Sequence, residues 1–454
     1  MLRSTRRRTH SWWRAAPLVI AAAVALVIAA CGSTSGSDGT NPTTTTPGEK
    51  SDGTDKVVKA ALARTTPSAA DAKAAAPLVD QVTAKLFAPL AAAAKDSNIV
   101  FSPTSLAVAL AMLRQGATGD SARQLDAFLG SHDATSLAQA MNGLDHRLSV
   151  LSGPQVNSDG NRGDVALWSA NALWGQQGLP WQPPFLDSLA RNFGAGLRTV
   201  DYEHDADGAR QAINRWVSDQ TRGKIADLIP SGALTPASRL TLVNALYFKA
   251  PWFSALTRTS RPGAFTRLDG TQVSVPQMFT GSALARASGD GWKAVQLEYA
   301  GEGTAMTVIV PDAGKFDAVR TQIGTGLLPR VLGAVEQSGE VTLTMPTFTI
   351  RTKAVLSDAL QAVGVRAPFE TVHDFDSISP NAELQVGAVR QQAFIAVDEK
   401  GTEAAAATSV EMRAGSANAE PFVLNVDRPF LFVVHDLATG TPLFVGQVLD
   451  PTAA

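Results

Sequence analysis

The pattern of apolar and polar positions divides the chain into three parts. Residues 15–30 form an unbroken apolar run that follows an arginine-rich start. Residues 32–76 are dominated by Gly, Ser, Thr, Pro, Asp and Ala without an apolar period, which is typical of a flexible tether. From Val79 onward, apolar side chains recur at helical spacing, so a first amphipathic helix is predicted to begin near Leu78. We therefore predict an export signal over residues 1–30, a disordered tether over 31–77 and one folded domain over 78–454.

Within the predicted domain, helical and strand patterns mix without regular alternation, which favours an α+β fold over a doubly wound or barrel fold. Ile213, Trp216 and Val217 share one helical face. Residues 304–310 and 341–345 are predicted to form strands. Near the C-terminus, two apolar runs flank a polar turn and predict a hairpin, at residues 429–434 and 443–448.

The N-terminal segment has the features of a bacterial lipoprotein signal. Its arginines lack any accompanying acid, and the apolar run is shorter than the about 20 residues that a spanning helix needs. Small residues precede Cys31, the only cysteine, and resemble a lipobox in which that cysteine becomes lipidated. An ordinary signal peptide with an incidental cysteine is the alternative. We expect an exported protein, anchored to the bacterial membrane through Cys31 and located at the cell surface or another extracytoplasmic site.

Composition and charge exclude several classes of function. The chain has 454 residues, of which 45% are hydrophobic, as expected for a globular protein. A single cysteine excludes an intramolecular disulfide and a cysteine-cluster metal site. A formal charge of -2 makes general nucleic-acid binding improbable. The sequence lacks H-E-x-x-H, G-x-S-x-G, Walker and S-x-x-K motifs, so neither a metal, a cofactor nor an enzymatic activity is predicted.

A segment of small residues near the C-terminus is unusual. Residues 401–408 offer no large side chain on either alternation. As a strand, Thr402, Ala404, Ala406 and Thr408 would line one face, and such a strand could enter between two others without burying a charge. A short alanine-rich helix or linker is the alternative.

This segment and a series of motifs resemble the serpin family of serine protease inhibitors. The motifs follow in the family's order along the whole predicted domain: residues 98–105 (NIVFSPTS), 116–119 (GATG), 214–217 (NRWV) with 221–225 (TRGKI), 242–249 (LVNALYFK) with Trp252, 345–348 (MPTF), and 428–432 (RPFLF) with Gly446. Each motif is modest alone, but their joint order is specific.

The resemblance implies a serpin fold with three β-sheets, eight to nine helices and an exposed reactive-centre loop. It also implies a suicide inhibitor, not an enzyme: a target serine protease attacks the loop, and the freed hinge inserts into the main sheet and traps the covalent acyl-enzyme. The hinge residues that the resemblance assigns are Glu399, Gly401, Thr402, Glu403, Ala404, Ala405, Ala406, Ala407 and Thr408.

Family spacing from Glu399 places the reactive bond at Gly415–Ser416, preceded by Ala414, which suggests an elastase-like or subtilisin-like target. A shift of the register by two residues makes Arg413–Ala414 the bond and the target trypsin-like.

Two further clusters are assigned by the resemblance. Ser102, Ser105 and Asn244, with Gln391 at a position that is often His, match the shutter, the polar cluster beneath the centre of the main sheet. Gln391 still donates and accepts hydrogen bonds but has no pH response.

Trp252 and Thr347 match the breach at the top of the sheet. Thr347 stands where the family often has a Lys that would pair with Glu399, so we expect the top of the sheet to open readily. The main hypothesis is a monomeric inhibitor of a serine protease that needs no cofactor. A non-inhibitory serpin-fold binding protein is the second hypothesis, and a hydrolytic lipoprotein is a distant third.

Overall fold

Three β-sheets and ten α-helices form the part of the chain that the structure describes. In the computed structural model of the protein, residues 55–95, 97–131, 133–402 and 422–453 are described. The α-helices of these residues are α1 Ala69–Ala94, α2 Pro103–Arg114, α3 Gly119–Leu129, α4 Ala134–Leu151, α5 Pro183–Phe193, α6 Ala206–Gln220, α7 Phe316–Thr321, α8 Leu327–Ala334, α9 Ser357–Ala362 and α10 Ala367–Glu370. A 3-10 helix at Gln322–Thr325 joins α7 to α8.

Nineteen strands occupy the same described residues. They are β1 Lys56–Val58, β2 Ile99–Phe101, β3 Gly153–Val156, β4 Arg162–Gln176, β5 Leu197–Val200, β6 Leu240–Pro251, β7 Thr257–Arg258, β8 Gly263–Thr266, β9 Gln272–Val275, β10 Gln277–Gly289, β11 Trp292–Glu298, β12 Thr304–Pro311, β13 Glu336–Pro346, β14 Phe348–Val355, β15 Val386–Asp398, β16 Gly401–Thr402, β17 Phe422–Asn425, β18 Phe430–Asp436 and β19 Pro442–Val448.

The main sheet has the strand order β1-β5-β4-β6-β16-β15-β14, with β3 paired to β4. The second sheet has the order β17-β13-β10-β11-β12-β18-β19-β2, with β7 on β10, and β8 and β9 form a separate hairpin. Helices and strands follow one another along the chain without regular alternation, and the predicted α+β class is confirmed. The short helices α9 and α10, with six and four residues, bring the number of described helices above the eight to nine that the resemblance implies.

Two apolar cores cover the two faces of the main sheet. The larger core lies between this sheet, the second sheet and helices α1 and α2. The smaller core lies between the opposite face of the sheet and α6, through Ile213 and Val217 among others. We call the first face the core face and the second the outer face. Because successive side chains of a strand point to opposite faces, β6 contributes to both cores and is buried at nearly every position.

The predicted helix, strands and hairpin at residues 206–220, 304–311, 336–346 and 430–448 are confirmed. The hairpin strands β18 and β19 pair antiparallel from Phe430↔Val448 onward. No helix among the described residues is both long and apolar enough to cross a membrane.

The folded part of the chain begins earlier than predicted. Helix α1 starts at Ala69, not near Leu78, and a capping box stabilises its N-terminus. In this box the Ser68 hydroxyl accepts from the Asp71 amide, and the Asp71 carboxylate accepts from the Ser68 amide. Buried Ala72 and Ala75 fill the first turns. The prediction was wrong because it followed large apolar side chains, whereas this helix end forms through alanine propensity and a cap.

Part of the predicted tether is also an edge strand of the main sheet. Strand β1 pairs antiparallel with β5, from Lys56↔Thr199 to Val58↔Leu197. Beside it, Asp55 and Arg198 form a buried ion pair at 2.6 Å. Residues 56–77 therefore belong to the folded structure, which corrects the boundary of the tether.

Candidate functional site

The centre of the main sheet contains a split between two parallel strands. Strands β6 and β15 pair directly from Val386↔Leu240 to Phe394↔Tyr247. Above this point Gly401–Thr402 lie between them, antiparallel to both. We call the boundary between β6 and β15 the seam, its directly paired part the lower seam, and its separated part the upper seam. Gly401 and Thr402 of the predicted hinge lie inside the upper seam, and Glu399 lies in the turn before it.

Gly401 is suited to the entrance of the seam by its backbone. Its φ is +149°, a conformation that L side chains rarely adopt. A Cβ there would also collide with the carbonyl oxygen of Ala250 and the backbone of Pro251. Only glycine lets the chain turn from β15 and approach β6 this closely.

The side chain of Thr402 enters the core face of the seam. It is fully buried, and its hydroxyl is 2.7 Å from the hydroxyl of Tyr299. The Tyr299 ring stacks on the predicted breach residue Trp252, with ring centroids 4.5 Å apart and an interplanar angle of 14°. Nε1 of Trp252 in turn donates to the carbonyl oxygen of Asp398 at 2.9 Å. Thr402 therefore has a buried hydrogen-bond partner, Tyr299, whose ring is held in place by stacking on Trp252.

The turn that joins β15 to Gly401 is held by its own carboxylate. The Asp398 carboxylate accepts from the amides of Lys400 at 2.8 Å and Gly401 at 3.2 Å. Burial raises the pKa of Asp398 above its usual range. The segment after β6 also holds this turn, because the amides of Trp252 and Leu256 donate to the carbonyl oxygens of Lys400 at 2.9 Å and Glu399 at 2.8 Å.

Glu399 belongs to the same turn. Its Oε2 atom is buried and has no hydrogen bond among the described residues. Thr347 lies just before Phe348, which pairs with Val397 near the same turn, and its amide donates to the Pro276 carbonyl at 3.0 Å. Thr347 is therefore a neutral residue that directly precedes the strand partner of Val397, and Val397 lies two residues before Glu399.

The lower seam is crossed on its core face by a row of amide side chains. Asn171 of β4, Asn244 of β6 and Gln391 of β15 are register partners in adjacent strands. Nδ2 of Asn244 donates to Oδ1 of Asn171 at 2.6 Å, and Nε2 of Gln391 donates to Oδ1 of Asn244 at 2.5 Å. The seam is therefore closed by side-chain hydrogen bonds as well as by backbone ones.

The N-terminus of α2 completes this polar cluster from below. The Gln391 amide accepts from the Ser102 amide and donates to the Ser102 carbonyl, both at 2.9 Å. The Ser105 hydroxyl accepts from Asn244 at 2.6 Å and donates to Asn171 at 3.0 Å. The structure thus brings together all four residues assigned to the shutter.

Sequence reasoning missed Asn171. It lies in a strand whose apolar and small residues carry no motif, and only the pairing of β4 with β6 places it opposite Asn244. A polar residue within a strand that is otherwise mostly buried was the one available signal.

Several predicted residues lie outside the described residues. These are Cys31, the hinge residues Glu403, Ala404, Ala405, Ala406, Ala407 and Thr408, and the two candidate bonds at Arg413, Ala414, Gly415 and Ser416. Within the described ranges, no group of three or more His, Cys, Asp or Glu side chains is placed to hold a metal ion.

Comparisons with known proteins agree on one family. A family model described as Serpin (serine protease inhibitor) matches residues 78–451. An uncharacterized serpin-like protein of Thermococcus kodakarensis is 33% identical over 362 residues, covering 79% of this chain and 82% of the relative. Iris of Ixodes ricinus is 32% identical over 373 residues, covering 80% of this chain and 96% of the relative.

Two solved structures have the same architecture. Serpin48 of the insect Tenebrio molitor, described as highly specific, aligns with a TM-score of 0.71 at 24% identity, covering 82% of this chain and 97% of that one. The thermophilic serpin Tengpin in its native state aligns with a TM-score of 0.72 at 22% identity, covering 87% and 97%. The sheets and helices therefore have the arrangement that the resemblance implies.

Proposed function

Because this chain belongs to the serpin family, whose members are in general protease inhibitors, we propose that it is a suicide inhibitor of a serine protease. In this proposal the protease cleaves the loop that follows Thr402 and forms an acyl-enzyme. The freed hinge then inserts into the seam and carries the protease with it. The inhibitor is consumed with its target.

The position of Gly401–Thr402 between β6 and β15 carries this proposal. Two hinge residues already occupy the top of the groove that the rest of the hinge would fill, and they pair with both neighbours. Each further residue would add backbone hydrogen bonds on both sides, which supplies a driving force for insertion.

The observed register would direct small side chains of the hinge toward the core. Since Thr402 points to the core face, continued pairing would direct Glu403 to the outer face and Ala404 to the core face. Ala404 would then lie opposite Ile395 and Phe248, both buried in the larger core. A small side chain enters such a site without displacing its neighbours.

Two target classes remain part of the proposal. Cleavage at Gly415–Ser416 corresponds to an elastase-like or subtilisin-like protease, and cleavage at Arg413–Ala414 to a trypsin-like one. We further propose export and lipid anchoring through Cys31, with the inhibitor monomeric at the cell surface.

The test is to incubate the domain from residue 55 onward with elastase-like, subtilisin-like and trypsin-like proteases. We expect at least one SDS-stable covalent adduct, and mass spectrometry of the released C-terminal fragment identifies the cleaved bond. A protease whose nucleophile is blocked beforehand is the control and must give no adduct. Clean hydrolysis by every protease would instead favour the non-inhibitory serpin-fold protein.

A further inference from the structure

The chain before the family match adds a strand to the edge of the main sheet. The family model begins at residue 78, whereas the described fold begins at residue 55. Strand β1 pairs with β5 from Lys56↔Thr199 to Val58↔Leu197. Residues 55–68 are therefore a folded element that leads into α1.

A buried ion pair fixes the first residue of this element. The Asp55 carboxylate lies 2.6 Å from Nη1 of Arg198, and both side chains are buried. The Arg198 guanidinium lies 5.5 Å and 4.9 Å from the ring centroids of Trp174 and Trp216. Removing one partner from such a pair is strongly destabilising, because it leaves a buried charge without compensation. The chain is therefore held at Asp55.

Two further contacts hold the segment between β1 and α1. Lys59 donates from Nζ to the carbonyl oxygen of Gly194, just after α5, at 2.6 Å. Arg64 donates from Nε to Oδ1 of the buried Asn142 of α4 at 2.8 Å. These residues belong to the fold and add nothing to the reach of the predicted tether. That tether is left with residues 32–54, which are 23 residues between Cys31 and the fold.

Strand register places the entry point at the end of the main sheet that lies opposite the hinge. Thr402 of the hinge pairs with Ala250 near the C-terminal end of β6. At the other end of β6, one row of register partners crosses the sheet through Leu240, Gly175, Thr199 and Lys56. We call this row the far row. The tether therefore joins the fold at the far row.

The same register predicts where an inserted hinge would end. Leu240 precedes Ala250 by ten residues, so a strand that continues from Thr402 would place residue 412 opposite Leu240. Residue 412 and Lys56 would then lie in one row, four strand spacings or about 19 Å apart. The acyl bond would follow at residue 413 or 415, depending on which bond is cleaved. The trapped protease would therefore lie beside the point where the tether joins the fold.

We propose that the length of the tether determines whether an anchored inhibitor can trap its protease. This inference rests on the proposed function and on anchoring through Cys31. The trapped protease must find room between the far row and the anchoring surface, and a protease domain of roughly 230 residues is about 45 Å across. A relaxed chain of 23 residues with the composition of the tether spans about 26 Å, and a fully extended one spans about 80 Å.

The clearance depends on how the domain is turned. With the far row toward the surface, the tether must span the whole protease, about 45 Å. With the β1 edge toward the surface, the attachment point is raised by about 19 Å, slightly less than the protease radius of about 22 Å. A shortened tether thus leaves only the second arrangement, with little room in it. Hydrolysis of the acyl-enzyme then competes better with insertion.

The experiment compares anchored and free inhibitor. The chain from Cys31 onward is coupled through the Cys31 thiol to phosphatidylcholine vesicles that contain a maleimide lipid, and a protease that forms the adduct in solution is added. The ratio of SDS-stable adduct to cleaved chain is measured in the floated vesicles. We expect this ratio to fall when residues 43–54 are deleted, and to lose most of its full-length value when residues 33–54 are deleted.

Two controls isolate the length of the tether. Both deletion chains, with Cys31 capped by N-ethylmaleimide and without vesicles, should form as much adduct as the full chain. Replacing residues 33–54 by Gly and Ser residues of the same number should keep the full ratio on vesicles. An equal ratio along the anchored series, or an equal loss in the free chains, would overturn the proposal. Absence of adduct from the free full-length chain would overturn the proposed function, and the proposal with it.

An energy-transfer measurement tests the geometry without an anchor. In a Cys31→Ser chain, a donor is attached at Lys56→Cys on β1 or at Thr257→Cys, both exposed positions, and the acceptor is on the protease. Thr257 lies at the hinge end, because the amide of the preceding Leu256 donates to the carbonyl oxygen of Glu399.

The reference for this measurement is the noncovalent complex with a protease whose catalytic serine is replaced by alanine. Relative to it, the adduct should show more transfer from the donor at position 56 and less from the donor at position 257. Transfer from position 56 that stays low in the adduct would show that the protease does not reach the far row, and the proposal would be wrong.

Discussion

The upper and lower parts of the seam lie between the same two parallel strands, but only in the lower part do these strands pair with each other. In the upper seam Gly401 and Thr402 separate β6 from β15, whereas in the lower seam the strands pair directly. The core-face side chains differ accordingly. Above, the hydroxyl of Tyr299 bonds with an inserted threonine, and below, Asn244 and Gln391 bond with each other.

This difference indicates what decides whether the seam is open. Backbone pairing is available to either state, since a strand edge can pair with its neighbour or with an entering strand. Buried polar side chains are more selective, because each needs a partner within hydrogen-bond distance. In this structure the hydroxyl of Tyr299 bonds with Thr402 of the hinge, and the proposed entry of a strand into the lower seam would separate Asn244 from Gln391. The location of the split therefore follows the location of these groups.

The largest expected effect is on the upper seam. Thr402→Arg would place a cation in a fully buried position beside Tyr299, at a cost of several kcal/mol. The hinge should leave the seam, and proteases should cleave the loop without forming an SDS-stable adduct. Adduct yield and the thermal stability of the loop-cleaved chain measure this effect.

Two variants control that measurement. Thr402→Ser keeps the hydroxyl and should keep the adduct, and Thr235→Arg adds the same charge at an exposed position and should change nothing. An undiminished adduct yield in Thr402→Arg would contradict insertion at this position.

An intermediate effect is expected in the lower seam. Asn244→Ala leaves the buried amides of Asn171 and Gln391 without this partner, so the free energy of unfolding should fall by about 1–3 kcal/mol. Denaturant titration measures the loss, and hydrogen exchange of the β15 amides should rise more than that of β18.

Asn192→Ala is the matched control, because Asn192 bonds only locally with Ser188 among the described residues. If Asn244→Ala and Asn192→Ala gave equal losses and equal exchange in β15 and β18, the shutter would not hold the seam closed.

The smallest expected effect is an added ion pair at the top. Thr347→Lys would supply a cation near the buried Oε2 of Glu399 and stabilise the unopened sheet by about 0.2–1 kcal/mol. Uptake of a synthetic peptide with the hinge sequence by the folded chain should slow slightly, and the difference should shrink at high salt.

Thr347→Gln, which adds length without charge, should leave the uptake rate unchanged. An equal slowing in Thr347→Gln, or no slowing by Thr347→Lys, would show that the missing lysine does not explain the open upper seam.

The local pattern of apolar residues was enough to predict those helices and strands whose large apolar side chains recur with a single period. The helix around Ile213 and the terminal hairpin were predicted in this way and are confirmed. The polar cluster came from the resemblance, and the structure assembles Ser102, Ser105, Asn244 and Gln391 as a bonded group. The start of α1 was missed because Ala72 and Ala75 are apolar but small, so a pattern of large side chains does not register them.

By itself, the sequence determined the α+β class, the few elements with a clear apolar period and the small side chains of the hinge, because each depends on residue type and near spacing along the chain. Only the tertiary structure decided that Asn171 joins the shutter, that Thr402 meets Tyr299, and that Arg222 lies over Trp168. These contacts join residues that are far apart in the chain and depend on strand order and register. A short-range sequence pattern contains neither the strand order nor the register, whereas the folded sheet specifies both.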